Sequence, residues 1–214
     1  MKHIFWDWNG TLLDDTEAAL ATLNFMLRER GAQEISMEFY RDNFAFPVRP
    51  FYTKIGMVLE NEAWDDIAQE YHDVYAMQPK RLNRDTIAAL ETVKKAGLKQ
   101  SVISALRQDL LNGDMVNYGV GEYFDRVFGV DNLDGASKIT RAKSLLAELN
   151  ADPADIIMIG DSLHDKEVAN AIGVKCILTA QGSHAEWRLR EVAPTGDTLL
   201  KAVELALMAA GLSA

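Results

Sequence analysis

Phe5-Trp6-Asp7-Trp8-Asn9-Gly10-Thr11-Leu12-Leu13-Asp14-Asp15 is the stretch on which the reading of this chain turns. The apolar run from His3 to Trp6 reads as a buried strand, ended by an acid and a Gly-Thr turn. That places Asp7 at the carboxyl end of a strand, the edge at which open α/β sheets bind ligands. The same pattern returns far downstream, where Ile156-Ile157-Met158-Ile159 runs into Gly160-Asp161-Ser162-Leu163-His164-Asp165. Two acidic strand ends so far apart predict one shared metal or phosphate site.

Between and beyond these two segments the pattern divides the chain. Thr16 to Arg30 has helical periodicity (Ala19, Leu20, Leu23, Met26, Leu27) and stops at Gly31, a suitable helix end. Ala32 to Gln78 shows no strand-like run, but aromatic and Met residues recur at helical spacing, among them Phe39, Phe51, Met57, Trp64, Tyr71 and Tyr75. Phe46-Pro47-Val48-Arg49-Pro50 reads as a loop between short helices. From Arg84 onward helices and strands alternate: helix 86–95, strand 100–104, helix 108–118, strand 126–130, helix 139–149, strand 155–159, helix 166–172 and strand 175–178. Alternation of this kind means βαβ units, a parallel sheet and helices on both faces. The expected fold is therefore α/β: a Rossmann-like parallel core from residues 1–14 and 81–214, carrying an all-helical insertion over residues 15–80.

Composition narrows the class. Of the 214 residues 48% are hydrophobic and 25% charged, as in ordinary globular chains. A formal net charge of −10 argues against nucleic acid and against anionic membrane surfaces as partners. Cys176 is the only cysteine, so no intrachain disulfide can form, and its apolar neighbours make it a buried, inert thiol. The N-terminus lacks the apolar region of a signal peptide. Leu199 to Leu212 is too short to span a bilayer and reads as a packed terminal helix. A cytoplasmic protein without membrane partners is expected, as a monomer or homodimer.

Four segments in order now support a resemblance. Asp7-Trp8-Asn9-Gly10-Thr11, Ser104, Lys138 and Gly160-Asp161-Ser162 through Asp165 resemble the four motifs of the haloacid dehalogenase superfamily, phosphatase branch, with Tyr123-Phe124-Asp125-Arg126-Val127-Phe128-Gly129 similar to its third-strand segment. Within it the chain is most similar to the phosphoglycolate phosphatase and phosphoglucomutase-like group, whose helical cap follows the first strand. The resemblance implies a Mg²⁺-dependent phosphatase of small phosphorylated metabolites, with Asp7 as nucleophile forming an aspartyl-phosphate. It implies Mg²⁺ ligands from Asp7, the Asn9 backbone carbonyl and Asp161, with Asp165 as a further or supporting ligand. Ser104 and Ala105, the Gly10 and Thr11 turn, and Lys138 as a point charge would hold the phosphoryl group. Asp165 could equally cap the helix beginning near Lys166, and Ser104 could cap a turn. Lys143, the other lysine on that helix, reads as solvated.

The chain departs from the family at one consequential position. Its phosphatases carry a second Asp two residues after the nucleophile, serving as general acid and base, and here that residue is Asn9. An amide cannot give or take a proton near neutral pH, and such help is worth ~10²–10⁴-fold. Asp14, Asp15 and His164 are the candidates to replace it, although polar surface roles suit all three. The departure counts against a phosphomutase, and the Gly160-Asp161-Ser162 cluster counts against a metal-free dehalogenase. A phosphatase scaffold turned to binding or regulation is the alternative. In the cap, Arg49 and Lys54 could meet an anionic substrate, while Trp64, Tyr71 and His72 read as packing. His3 and His184 have no partner legible in the sequence.

Overall fold

The computed structural model describes residues 3–57, 62–130 and 138–212. Residues 131–137, immediately ahead of Lys138, therefore lie outside the described residues. Six strands form one parallel sheet in the order β5-β4-β1-β6-β7-β8. They are β1 (His3–Trp6), β4 (Lys99–Arg107), β5 (Arg126–Val130), β6 (Ile156–Gly160), β7 (Lys175–Thr179) and β8 (Thr195–Gly196). The chain lays β4 and β5 to one side of β1, then returns to lay β6, β7 and β8 on the other. That reversal opens a crevice at the carboxyl ends of the central strands. Trp6 pairs with both Val102 and Ile159, so Asp7, Ser104 and Asp161 all emerge at that edge.

Period-two alternation sorts the sheet residues between two cores. Ile4 and Trp6 point into a cluster closed by α5 (Thr86–Lys95), α6 (Gln108–Asn117) and α10 (Leu199–Ala209). Phe5 and Met158 point the other way, under α7 (Lys138–Leu149) and α8 (Leu163–Ile172). Trp6 and Trp8 are fully buried, and each indole N–H finds an acceptor, Gln100 Oε1 and Asp114 Oδ2, both at 2.9 Å. That is how an aromatic with one polar atom can enter a core without leaving a donor stranded. Cys176 is buried, and burial pushes its thiol up to about 12, which leaves it unreactive. Among the described residues no helix is long and apolar enough to cross a membrane.

A third cluster belongs to four helices between β1 and the rest of the sheet: α1 (Thr16–Glu29), α2 (Met37–Asn43), α3 (Val48–Lys54) and α4 (Trp64–Met77). Leu23, Met26, Leu27, Tyr40, Tyr52 and Ile67 fill it. The two chain passages into and out of this lobe are stitched by a short antiparallel pair, β2 (Leu13–Asp14) with β3 (Arg81–Leu82).

Several boundaries differ from the sequence reading. Val48-Arg49-Pro50 is the first turn of α3 rather than loop, because proline is tolerated where helix N–H groups have no internal acceptor. α8 starts at Leu163 rather than Lys166, since Ser162 caps it and Asp165 completes a reciprocal capping box. β4 continues past Ser104 to Arg107 across a break in register with β5. β2, β3 and β8 are two-residue strands, too short to carry a periodic signal.

His3 is buried on β1, where its Nε2 lies 2.9 Å from Ser101 Oγ. Burial holds its imidazole down to about 4, and that of His184 down to about 3, against 6.5 when free. Below pH 6.5 the unfolded chain takes up protons that the folded chain refuses, so stability falls with falling pH until about 4 for His3. Asp161, pushed up to about 6, opposes this by taking its proton in the fold first. His3→Gln keeps a donor near Ser101 and removes the titration. Unfolding midpoints measured from pH 7.5 to 4.5 are expected to fall less steeply in that variant than in wild type.

Candidate active site

The carboxyl edge of the sheet gathers three buried acids and one buried lysine. Asp7, Asp161 and Asp165 each offer a carboxylate oxygen, and these lie within 4.8 Å of one another. Lys138 Nζ, on the first residue of α7, sits 2.5 Å from Asp7 Oδ1 and 2.5 Å from Asp165 Oδ1. Burial works against the ammonium, but Asp165 and Asp7 outweigh it and keep lysine charged well past its ordinary range. For Asp165 burial is likewise outweighed, by Lys138, and its carboxyl is held low. Burial dominates at Asp7 and Asp161, which are pushed upward, Asp161 to about 6. Three carboxylates against one ammonium leave negative charge in excess. An all-oxygen donor set of this kind, with uncompensated charge, fits a hard divalent cation such as Mg²⁺.

Side chains around the acids fix each oxygen. Thr11 is buried, and its hydroxyl lies 3.2 Å from both Asp7 Oδ2 and Asp161 Oδ1. Asp161 Oδ2 accepts from the backbone N–H and the hydroxyl of Ser183, each at 2.6 Å. Asp165 Oδ2 accepts from Ser162 Oγ (2.6 Å) and from the backbone N–H groups of Ser162 and Asp161. The capping reading of Asp165 is the one seen: one oxygen completes the capping box of α8 while the other holds Lys138. The packing here demands glycine. A Cβ on Gly10, whose φ is +77°, would lie 2.4 Å from Asp161 Oδ2, and one on Gly182 would lie 2.1 Å from the same atom.

The cavity above this edge is walled by Asp7, Asn9, Gly10, Ser104, Ala105, Lys138 and Asp161 on the sheet side. Seven of the residues singled out by sequence are therefore brought to one space. Three are not part of its wall. Thr11 lies behind the carboxylates, its hydroxyl taken up between them, and Asp165 is enclosed beneath Lys138. Arg49 is exposed, with its guanidinium 5.7 Å over the Trp64 ring instead. The Gly10 N–H also turns inward, to Asp15 Oδ1 at 2.6 Å and the Leu13 carbonyl at 2.9 Å, which takes it away from any phosphate. Lys54 bonds Asn43 at the exposed surface, and Lys143 is exposed.

Asn9 is held in one orientation. Its Nδ2 donates to Asp15 Oδ2 at 2.8 Å and to the Tyr75 hydroxyl at 3.0 Å, while its Oδ1 lies 3.4 Å from Ser104 Oγ. Asp15 also accepts from the Tyr75 hydroxyl. Of the three groups named as substitutes for the absent acid, Asp15 alone touches Asn9, and it is buried rather than a surface group. Asp14 is paired with Arg81 outside the site. His164 lines the cavity, its ring tilted against Phe46 with Nδ1 3.1 Å from Glu167.

Ser183, Gly182 and Tyr75 were missed by sequence reasoning. Gly182-Ser183 follows the end of β7, so the rule that pointed to Asp7 and Asp161 could have found it. The same loop reaches the helical lobe. Arg41 Nε donates to the Gly182 carbonyl, and Ala185 N–H donates to the Arg41 carbonyl. Arg188 Nη1 donates to the carbonyls of Arg41 and Phe44, and the Trp187 indole donates to Asp42. His184 takes the Leu163 N–H on Nδ1 and packs edge-on to Phe44.

The family model for haloacid dehalogenase-like hydrolases matches residues 4–179. Pyrophosphatase PpaX of Bacillus velezensis is 25% identical over 187 residues, covering 80% of each chain. A phosphoglycolate phosphatase of Aquifex aeolicus is 25% identical over 190 residues, covering 85% of this chain and 86% of its own. A haloacid dehalogenase-like hydrolase of Streptococcus pneumoniae superposes with a TM-score of 0.77 at 18% identity, over 96% of this chain and 98% of its own, which is a likeness of fold.

Proposed function

Given that the chain belongs to the haloacid dehalogenase-like hydrolase family, we propose that it hydrolyses the phosphate monoester of a small metabolite through a covalent intermediate on Asp7. One observation carries this reading: a buried carboxylate faces the cavity, held by Lys138 and Thr11, beside two further acids. An idle binding site has no need of that arrangement.

In the first step an Asp7 oxygen bonds phosphorus while the ester P–O bond breaks, and the leaving oxygen takes the bonding pair. Lys138 and the Ser104 hydroxyl line the space in which the phosphoryl oxygens would sit, and Lys138 supplies positive charge to them. In the second step the oxygen of a water bonds phosphorus and the Asp7 carboxylate departs, giving inorganic phosphate. Asp161, Asp7 and the Asn9 carbonyl are the groups proposed to hold Mg²⁺, with Asp165 steadying Lys138. Bound there, the ion would neutralise charge on the phosphoryl oxygens. Asn9, fixed as a donor toward Asp15, is not a proton source for the leaving oxygen. The helical lobe of residues 15–80 is read as a lid that excludes water from the reaction.

Thermal unfolding with beryllium fluoride tests the pairing of Asp7 with a metal. Beryllium fluoride mimics a phosphoryl group on a carboxylate, so the midpoint is expected to rise only when Mg²⁺ is present. Phosphate release from phenyl phosphate is expected to stop on chelation with EDTA and to return with Mg²⁺. Equal protection with and without metal would remove the proposed ligand set.

A further inference from the structure

The helical lobe gives the cavity an aromatic wall. Phe44, Phe46, Tyr52, Trp64, Tyr71 and Leu23 face it from that side. Burial pushes the Tyr52 and Tyr71 hydroxyls up, so both stay neutral. Lys138 is the only lysine or arginine in the wall among the described residues, and it is committed to Asp7 and Asp165. Segments 58–61 and 131–137 contain no lysine or arginine either. Beyond Lys138 and the metal proposed at the acids, the described wall offers no lysine or arginine to a second anionic group on the substrate, only the imidazoles of His72 and His164. Burying such a charge against an apolar wall is strongly unfavourable.

We propose that the substrate is a small monoaryl phosphate, its uncharged ring seated against the Phe44-Phe46-Tyr52-Trp64-Tyr71 wall. This rests on the phosphatase reading above and names its substrate class. Size agrees with it. The whole cavity, acid end included, holds about 170 Å³, so a phosphoryl group leaves room for no more than one small ring. Aromatic walls favour aromatic guests through edge and face contacts. The chemistry at residue 9 points the same way from a separate observation. With an amide there, the P–O bond breaks without a proton from that residue, and a phenolate carries the resulting charge on its ring far better than an alkoxide does. The aryl oxygen leaves as the anion, is protonated by water, and Asp7 keeps the phosphoryl group until water removes it. Phosphoglycolate and pyrophosphate, each with an extra anionic group, suit this cavity poorly.

The protein with Mg²⁺ is assayed for phosphate release from phenyl, benzyl and ethyl phosphate, phosphoglycolate and pyrophosphate. Benzyl phosphate has a ring but an alcohol leaving group, so it separates recognition from departure. KM for phenyl and benzyl phosphate is expected at least tenfold below KM for ethyl phosphate and phosphoglycolate, with kcat highest for phenyl phosphate. Trp64→Leu is expected to raise KM for benzyl phosphate more than for ethyl phosphate. Calorimetry with phenylphosphonate and carboxymethylphosphonate reads the same preference without turnover and does not depend on the variant folding. Equal KM for benzyl and ethyl phosphate, or preference for phosphoglycolate or pyrophosphate, overturns the substrate class and leaves the phosphatase reading standing. No phosphate from any ester overturns both.

Discussion

Asp7→Asn is expected to lose turnover of phenyl phosphate by roughly 10⁴-fold or more, the scale seen when a covalent nucleophile is removed. The exchange is nearly isosteric, and an amide oxygen is too weak a nucleophile to displace the ester oxygen. The variant should still fold. Lys138 keeps Asp165 at 2.5 Å, so no ammonium is left buried alone. Burial, together with Asp165 and Asp161, raises the Asp7 carboxyl against the pull of Lys138, which means the charge at residue 7 costs the fold stability. Removing it is expected to leave the unfolding midpoint unchanged or higher. Loss of activity with a retained midpoint separates chemistry from unfolding. Phosphate release at the wild-type rate would strip Asp7 of its role, and a wild type with no release to lose would favour the binding-protein alternative.

Asn9→Asp is expected to speed ethyl phosphate hydrolysis by about 10²-fold, toward the low end of what general acid–base help supplies, and phenyl phosphate by far less. The structure sets the size of the gain. The Asn9 amide donates to Asp15 Oδ2, so a carboxyl at residue 9 would face a second carboxylate, and the pair would hold one proton between them. Burial already raises Asp15, although Tyr75, Asn9 and the Gly10 N–H each pull it down. Exchanging both groups, Asn9→Asp with Asp15→Asn, restores a donor opposite an acceptor with the roles reversed. The double variant is therefore expected to exceed the single one on ethyl phosphate. Equal acceleration of aryl and alkyl esters would mean that leaving-group protonation is not what Asn9 limits.

The two predictions draw on different levels of the molecule. Asp7 was legible because a strand ending in an acid at the start of a turn is a local pattern. Asp161 was legible for the same reason, and Lys138 and Ser104 through their order along the chain. The charge of Arg49 and its neighbouring prolines suggest a loop facing the substrate, whereas α3 turns the side chain onto Trp64 at the surface. Its place in the Gly-Thr turn suggests Thr11 for the phosphate, but two carboxylates compete for its hydroxyl and take it. Asp15 reads as a surface acid because nothing in a linear pattern shows that Asn9, Gly10 and Tyr75 converge on it.

By itself the sequence determined the parallel α/β core, the helical insertion and the identity of the acidic strand ends, since each follows from periodicity or from a turn within a few residues. Only the tertiary structure decided which oxygens are free and which are spent, and what the cavity wall is made of. Ser183 reaches Asp161 across 22 residues, and Tyr75 reaches Asp15 across 60. Hydrogen bonds and burial depend on distance in space, and distance in space between such residues exists only once the sheet has closed around its switch point and the four helices have folded over it.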